Sequence, residues 1–360
     1  MLSAGLIGLP STGKTTLFTL LSRSSRNNSP GRLGRAEANL GSAKVPDERL
    51  DRLTEMFQPE KRVAATVVFA DIVGTTGPRN LIDVAAYREA NALLHVIRAF
   101  HAEEVPHAAK GIDPVRDARN MEDELILTDL SVAERRLDRL THDMKKGTVK
   151  NAEHEARLLG ECREALENGT PIRSLQLEPE ANSLLRGFQF LSAKPLLLLI
   201  NLDEAHVQES SRAVELTKFT EILSHASTHA VPVCAKIELE IAQLEAEDAQ
   251  VFLADLGLRE TGLTRVVRAA YELLGYISFF TVGKDECRAW SIPRGTVARD
   301  AAGEIHTDIQ HGFIRAEVVS YENLTARGSI NECRDHGEVR LEGKHYVVQD
   351  GDVINFRFSK

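Results

Sequence analysis

A short segment near the amino terminus has the residue types and spacing of a phosphate-binding loop. Residues 8–15 are Gly-Leu-Pro-Ser-Thr-Gly-Lys-Thr, which match the pattern G-x-x-x-x-G-K-[ST] in full. Glycines in such a loop let backbone N–H groups turn inward around a polyphosphate. Lys14 would contact the β- and γ-phosphates of a nucleotide, and the Thr15 hydroxyl would bind Mg²⁺. The predicted nucleotide contacts in this segment are Gly8, Leu9, Pro10, Ser11, Thr12, Gly13, Lys14, Thr15 and Thr16.

A carboxylate that could complete the metal site follows the apolar run of residues 67–70. Asp71 begins the sequence Asp-Ile-Val-Gly, which ends at Gly74. Asp71 would hold Mg²⁺, usually through a water, and the Gly74 N–H would contact the γ-phosphate. The presence or absence of the γ-phosphate would thereby change the conformation of the loop that follows. D-x-x-G is a common turn, but at this distance after a phosphate loop it predicts a functional segment.

A base-binding corner is predicted where the apolar run of residues 195–200 ends. The run leads into Asn201-Leu-Asp-Glu204. In an N-K-x-D corner the aspartate accepts two hydrogen bonds from guanine and the lysine stem covers the base. Here Glu204 is one methylene longer and Leu202 offers only apolar cover, so discrimination against adenine is weakened. We expect relaxed or adenine-preferring binding. The loop expected to close over the base is Cys234, Ala235 and Lys236.

Short apolar segments are predicted to form the parallel sheet that positions these residues. They are Ala4–Leu9, Thr66–Ala70, Ala92–Ile97, Leu196–Ile200 and Val231–Cys234. Helical patterns alternate with them, among them Thr15–Ser22, Asp47–Met56 and Leu263–Leu274. Such alternation predicts an open α/β sheet with right-handed crossovers.

Two further regions have different patterns. Apolar residues spaced as in a coiled coil are Ile126, Leu130, Ala133, Leu137, Leu140 and Met144, and a returning helix would carry Ala152, Ala156, Leu159, Cys162 and Leu166. We interpret this region as an inserted antiparallel helical arm; the alternative is two packed helices of the same domain.

From residue 276 onward short strands with Gly and Asp turns predict a small β-rich α+β domain, with strands SFFTVG, CRAWSI, FIRAEVVS, EVRLEG, HYVVQ and DVINFRF.

The predicted domains follow from these patterns. They are a nucleotide-binding α/β domain (1–120 and 190–275), an inserted helical arm (121–189) and a β-rich domain (276–360).

Composition limits the classes of partner. The 360 residues are 42% hydrophobic and 27% charged with a net charge of −9, so no global basic field attracts nucleic acid, and we expect no DNA partner. The cysteines, Cys162, Cys234, Cys287 and Cys333, form no C-x-x-C pair, which argues against a zinc knuckle or a disulfide framework. The amino terminus lacks signal-peptide features, and the longest apolar run is too short to span a bilayer. These features predict a cytoplasmic protein without a membrane partner.

Several of these stretches together resemble the YchF (Obg-like ATPase) family of translation-factor-class P-loop NTPases. They are GLPSTGKTT, DIVG, NLDE, CAKIELEIAQL and, most specifically, the carboxy-terminal AWSIPRGTVARDAAGEIHTDIQHGFIRAEVVSYENL. The likeness covers nearly the whole chain. It implies a P-loop G domain with a mostly parallel sheet and helices on both faces, an inserted coiled-coil arm and a TGS domain of β-grasp fold. It also implies slow hydrolysis of ATP, accepted as well as or better than GTP, and contact with ribosomal RNA or protein.

The chain departs from the family pattern in its switch segments. Ser11 and Thr12 replace the usual Asn-Val, and Arg35 aligns with a switch threonine that can complete the Mg²⁺ shell. The segment after DIVG is shorter than usual. These departures concern turnover and switching rather than nucleotide binding.

The candidate catalytic residues are Lys14 and His107. Thr75 stands where Ras-like enzymes have a water-positioning Gln. The resemblance places His107 at a loop histidine thought to orient water, whereas the alternative is an ordinary surface histidine.

Other polar residues have simpler explanations. Arg23, Arg26, Arg32 and Arg35 predict a mobile, solvated loop rather than an in-cis phosphate contact; contact with rRNA phosphates is a further option. His225 and His229 lie four apart on a predicted helix, and we interpret them as surface residues rather than metal ligands.

Three functions remain open at this point. The first is a slow Mg²⁺-dependent NTPase that prefers ATP and regulates translation or a stress response at the ribosome. The second is a nucleotide-sensing binding module with little hydrolysis. A small-molecule P-loop kinase is weaker, because it explains neither Asn-x-x-Glu nor the carboxy-terminal domain.

Overall fold

The fold is described from a computed structural model. The described residues are 3–24, 29–33, 36–72, 87–102, 111–145, 152–208 and 215–359. The chain folds into two compact units, the first formed by Met1–Ala43 and Val68–Leu273, the second by Lys44–Val67 and Leu274–Lys360. The first unit includes the proposed arm. Residues 44–67, placed in the nucleotide-binding domain above, group with the carboxy-terminal unit.

The secondary structure alternates as expected for an α/β protein. The strands are β1 (Ser3–Ile7), β2 (Ser29–Leu33), β3 (Ala36–Lys44), β4 (Lys61–Val63), β5 (Thr66–Ile72), β6 (Ala92–Ala99), β7 (Leu196–Leu202), β8 (Thr228–Val233), β9 (Tyr276–Val282), β10 (Glu286–Pro293), β11 (Phe313–Ser320), β12 (Arg340–Glu342) and β13 (Asp352–Phe358). The helices are α1 (Lys14–Leu21), α2 (Glu48–Phe57), α3 (Pro114–Lys145), α4 (Ala152–Glu167), α5 (Pro179–Leu185), α6 (Thr220–Leu223), α7 (Ala235–Ile241), α8 (Ala246–Asp255), α9 (Gly262–Leu273), α10 (Ala298–Ile305), α11 (Thr307–His311), α12 (Tyr321–Arg327) and α13 (Ile330–Asp335). Single 3-10 turns lie at Ser22–Ser24, Ile172–Ser174, Arg186–Phe188 and Glu204–His206.

The first unit contains a sheet of order β2-β3-β5-β1-β6-β7-β8. From β5 to β8, the paired neighbours all run parallel. All seven residues of β7 are buried, because α9 packs on this sheet from one side and a cluster including α3 residues covers alternate β7 side chains. Continuous apolar strands are typical of a parallel sheet covered on both faces. The predicted α/β fold class is therefore confirmed.

One predicted loop is instead a pair of strands. β2 and β3 pair antiparallel from Ser29 with Leu40 to Leu33 with Ala36, where the arginine-rich segment was expected to be mobile. The buried residues of β3 are small, among them Ala38 and Ala43, so the strand has only a weak apolar pattern in the sequence. The Arg23 guanidinium donates to the Ala242 carbonyl, so it is not simply solvated. Arg26 and Arg35 lie outside the described residues, whereas Arg32 lies in β2.

The predicted coiled-coil residues pack together. The apolar positions of α3 and α4 form one cluster, whereas Met144 at the end of the pattern is 37% exposed. Arg136 Nε lies 2.7 Å from Glu155 Oε1. Because only six residues separate the end of α3 from the start of α4, helices in contact in this way run antiparallel. α3 begins at Pro114, earlier than predicted, and its first half packs in the core of the sheet. One continuous helix therefore connects the sheet to the arm.

Buried polar contacts fix the middle of α3. The Asp129 carboxylate accepts backbone N–H groups of Leu191 and Ser192 at 3.0 and 2.6 Å. The Arg173 guanidinium contacts Glu122 at 2.6 Å and also donates to the Thr228 hydroxyl. A buried charge needs such partners to offset its desolvation. These contacts hold α3 at the amino-terminal ends of β7 and β8.

The second unit contains a mixed sheet of order β12-β11-β13-β9-β10-β4. β9 and β10 form an antiparallel pair, and α10 packs in a cluster beneath the sheet. β4 pairs parallel with β10, and Arg49 Nη1 of α2 lies 2.9 Å from Asp350 Oδ2, which explains why 44–67 belong to this unit. The strand predicted for HYVVQ, residues 345–349, was wrong. These described residues form no strand, and Val347 forms a single bridge, to Val297.

His95 is a buried titratable group in the centre of the first sheet. It lies in β6 between Ile7 and Leu198 and is 1% exposed. Its Nδ1 has no hydrogen-bond partner among the described residues. Burial lowers the pKa of His95 from 6.5 to about 3, because the imidazolium would lose its hydration.

This histidine should make the fold sensitive to acid. Between pH 6.5 and about 3 the unfolded chain binds one more proton at His95 than the folded chain does. The free energy of unfolding should therefore fall as pH falls, by about 1.4 kcal/mol per pH unit from this group. Urea unfolding at pH 7, 6 and 5 should show a shallower pH slope for His95→Gln than for the parent. The exposed His311→Gln is the control, and equal slopes for parent and His95→Gln would contradict the prediction.

Candidate functional site

The predicted site residues meet at one edge of the first sheet. β5, β1, β6, β7 and β8 are parallel, so their carboxyl ends lie at the same edge. The loop after β1 passes between β5 on one side and β6 on the other. Ligands of open α/β sheets bind outside the carboxyl ends of the strands.

The phosphate loop turns so tightly that glycine is needed at two positions. Gly8 and Gly13 have φ of +155° and +91°, and Ser11 has φ of +62°. A Cβ on Gly8 would lie 2.6 Å from the Val96 carbonyl oxygen. A Cβ on Gly13 would lie 2.4 Å from Asn201 Nδ2. These approaches explain both glycines of the motif.

The loop is held from within and leads directly into α1. The Thr12 hydroxyl donates to the Leu9 carbonyl at 3.0 Å, and Thr12 itself is buried. Gly13 caps α1, and Lys14 is its first residue. Pro10 and Thr15 are exposed. A helix amino terminus that follows such a turn directs backbone N–H groups toward an anion.

Lys14 and Asp71 face each other beside this helix. Lys14 Nζ lies 3.4 Å from Asp71 Oδ1, and Asp71 is 7% exposed at the end of β5. The pair lacks hydrogen-bond geometry, since Asp71 Oδ1 has no hydrogen-bond partner among the described residues. A buried carboxylate oxygen without a hydrogen bond and a threonine hydroxyl are hard donors of the kind that Mg²⁺ takes. Asp71 and Thr15 therefore fit a Mg²⁺ site.

A cleft of about 360 Å³ lies beside the phosphate loop. Its lining residues are Gly13, Thr16, Phe100, His101, Ala102, Asn201, Leu202, Asp203, Glu204, Cys234, Ala235, Lys236 and Leu239. The structure thus brings the end of the phosphate loop together with both predicted base-binding segments. The loop after β6 was not predicted to line the site, because the strand was predicted to end at Ile97 and only His107 was a candidate beyond it.

Asn201 connects two loops of the site. Its Nδ2 donates to the Thr12 carbonyl at 3.0 Å, and its Oδ1 accepts the Ala235 N–H at 3.0 Å. Both hydrogen bonds are buried, so neither partner has water as a ready substitute. The amide of Asn201 therefore fixes the phosphate loop relative to the loop after β8.

The next acidic residues contact one further loop, which follows β6, and a second residue of the segment after β8. Asp203 accepts the His101 N–H at 3.0 Å and lies 3.0 Å from His101 Nδ1. Glu204 Oε2 lies 2.6 Å from Lys236 Nζ, with both side chains largely exposed. One oxygen of Glu204 is thus paired with a cation.

Two predicted base contacts have structural roles as well. Leu202 lines the cleft but is only 3% exposed and packs in the core of the sheet. Cys234 precedes α7, and burial raises the pKa of its thiol, so it is not an activated nucleophile.

Three other candidates fall outside the described residues, and two histidines lie elsewhere in the fold. Gly74, Thr75 and His107 lie outside the described residues. The shared helix predicted for His225 and His229 was wrong: His225 follows α6 and contacts Ser174, whereas His229 lies in β8. No cluster of three or more His, Cys, Asp or Glu side chains suited to a metal occurs within the described ranges.

Comparisons with known proteins agree with these features. Residues 276–359 match the family described as "YchF-GTPase_C: Protein of unknown function (DUF933)". The chain is 39% identical over 365 residues to the ribosome-binding ATPase YchF of Bacillus subtilis (strain 168), covering 99% of both. It is 36% identical over 364 residues to the protein of that name from Escherichia coli O157:H7, covering 99% of this chain and 98% of the relative. The solved structure of the Schizosaccharomyces pombe YchF GTPase superposes with a TM-score of 0.86 at 28% identity, covering 99% of this chain and 97% of that one.

The helices of the described residues lack the features of membrane-spanning helices. Within the described parts of the chain, none combines the length and apolar composition needed to cross a bilayer.

Removal of the Asn201 amide should loosen the phosphate loop. Asn201→Ala leaves the Thr12 carbonyl and the Ala235 N–H unpaired in a buried position, at a cost of about 2 kcal/mol of stability. Hydrogen exchange followed by mass spectrometry should show faster exchange in peptides covering 8–16 and 235–241, with α3 unchanged. Asn182→Ala, which removes an exposed amide bonded to the Leu177 carbonyl, is the control. Parental exchange rates at 8–16 in Asn201→Ala would contradict this role.

Proposed function

The chain belongs to the YchF family, and from this premise we propose that it is a Mg²⁺-dependent P-loop NTPase that hydrolyses ATP slowly, in preference to or alongside GTP. The observation that supports this most is the convergence of Lys14, Asp71 and the Asn201 corner at one sheet edge. The proposal extends to a regulator of translation or a stress response that acts at the ribosome.

The phosphate loop would bind the polyphosphate. Its backbone N–H groups and Lys14 would surround the β- and γ-phosphates. Thr15 and Asp71 would hold Mg²⁺, which neutralises charge that develops on the phosphate oxygens. Lys14 already lies beside Asp71, so both positive partners of the phosphates would act from the same side.

The cleft would bind the base and favours adenine. Guanine recognition at such a corner needs a carboxylate free to accept two N–H donors. Here Glu204 is one methylene longer than aspartate, and its Oε2 is paired with Lys236 Nζ at 2.6 Å. Phe100 offers apolar surface to a stacked base, which does not distinguish purines by hydrogen bonding. ATP would therefore be accepted at least as well as GTP.

Hydrolysis would follow in-line attack of water on the γ-phosphate. Lys14 and the loop amides would stabilise the developing charge. His107 would orient the water, as the family resemblance implies. The alternative is a nucleotide-sensing module with little hydrolysis, which the replacement of the switch threonine by Arg35 and the shortened second switch segment favour.

Ribosome contact would involve the helical arm and the carboxy-terminal domain. Relatives in bacteria are named ribosome-binding ATPases. We propose that the arm spans 121–189, that 276–360 form a TGS domain and that the protein acts in the cytoplasm. The net charge of −9 implies a local contact with ribosomal RNA or protein rather than a broad basic surface.

Single-turnover kinetics should separate the two functions. With protein in excess over Mg-ATP or Mg-GTP, we expect first-order phosphate release above the no-protein control, lost on chelation of Mg²⁺. Thr15→Ala removes the metal-binding hydroxyl and should slow release at least about tenfold. Thr19→Ala, one turn along α1 and exposed, is the control. Release no faster than without protein would reject the hydrolase and leave the sensing module.

A further inference from the structure

Arg98 is a fully buried arginine beside the cleft that the nucleotide-site motifs do not include. It lies near the end of β6, opposite Asn201 on β7, and is 1% exposed. A guanidinium taken out of water needs strong compensating contacts. The loop that follows β6 supplies several of them.

Among the described residues, the guanidinium holds this loop by hydrogen bonds to two carbonyls and by one ring contact. Nε donates to the Phe100 carbonyl and Nη2 to the Ala102 carbonyl, each at 3.2 Å. The guanidinium carbon lies 4.7 Å from the centre of the Phe100 ring. A planar guanidinium can make all three contacts at once, whereas a lysine ammonium cannot.

The same loop forms one wall of the cleft. Phe100, His101 and Ala102 line it, and the His101 N–H donates to Asp203 of the facing loop at 3.0 Å. The wall is therefore held by Arg98 of β6 and by Asp203 of the loop after β7.

We propose that Arg98 is a positioning residue for base binding, which sets the place of the Phe100 wall against the base of the nucleotide. This inference rests on the proposed nucleotide function. Because Arg98 is 1% exposed, it would act through Phe100 rather than by direct contact with the phosphates. Its loss should therefore weaken the binding of ligands that carry a base and spare the binding of a bare polyphosphate.

Paired ligands test this directly. In calorimetry with Mg²⁺, Arg98→Lys should bind ATP about tenfold more weakly than the parent, because it loses charged hydrogen bonds and the ring contact. Binding of inorganic tripolyphosphate, which has no base, should change less than about twofold. A role only in folding would weaken both ligands together or neither.

A matched control uses the other buried arginine described above. Arg173→Lys alters a guanidinium at the opposite ends of the strands, paired with Glu122. It should lower thermal stability and leave the affinities for ATP and tripolyphosphate as in the parent.

A second variant keeps the test valid if Arg98→Lys does not fold. Phe100→Leu leaves Arg98 in place and removes the aromatic wall, so it should show the same selective loss of ATP affinity. Equal loss of both ligands, or parental ATP binding, in whichever of these variants folds would overturn the inference. A parent that binds tripolyphosphate and not ATP, or neither, would instead reject the proposed nucleotide function.

Discussion

The amide of Asn201 is the contact on which the geometry of the site depends. It bonds the phosphate loop through the Thr12 carbonyl and the loop after β8 through the Ala235 N–H. Its nitrogen also occupies the space where a side chain on Gly13 would stand. The position of Asn201 therefore explains why residue 13 is a glycine. It also sets the distance between the phosphate loop and the loop expected to close over the base. Asp203 and Glu204 extend the same corner to His101 and Lys236.

Chain connectivity suggests how the site can communicate with the rest of the protein. β5 begins at Thr66 in the second unit and ends beside Asp71 in the first. The segment before it, 44–67, folds with the carboxy-terminal sheet through β4. α3 likewise continues from the core of the first sheet into the arm. One strand thus joins Asp71 to the second unit, and one helix joins the core of the first sheet to the arm.

Sequence patterns predicted those parts of the fold that depend on residues close together in the chain. The central strands are continuous apolar runs, and the phosphate loop and the Asn201 corner have fixed spacings. β4 was missed because it is only three residues, Lys61–Val63, and its partner β10 is distant in the chain. Phe100, Asp203 and Arg98 were missed for a related reason. Their roles depend on β6 lying next to β7, which no short stretch of sequence specifies.

Calorimetric titration of Mg-ATP into the parent and into Lys14→Ala tests the central claim most directly, namely that the amino-terminal loop binds the polyphosphate of a nucleotide. We expect the parent to bind and the variant to bind about tenfold to a hundredfold more weakly, because a charged contact to phosphate is lost. Lys44→Ala, an exposed lysine outside the loop, should bind as the parent does. Equal affinity of Lys14→Ala and the parent, or a parent that binds neither ATP nor GTP at millimolar concentration, would contradict the account.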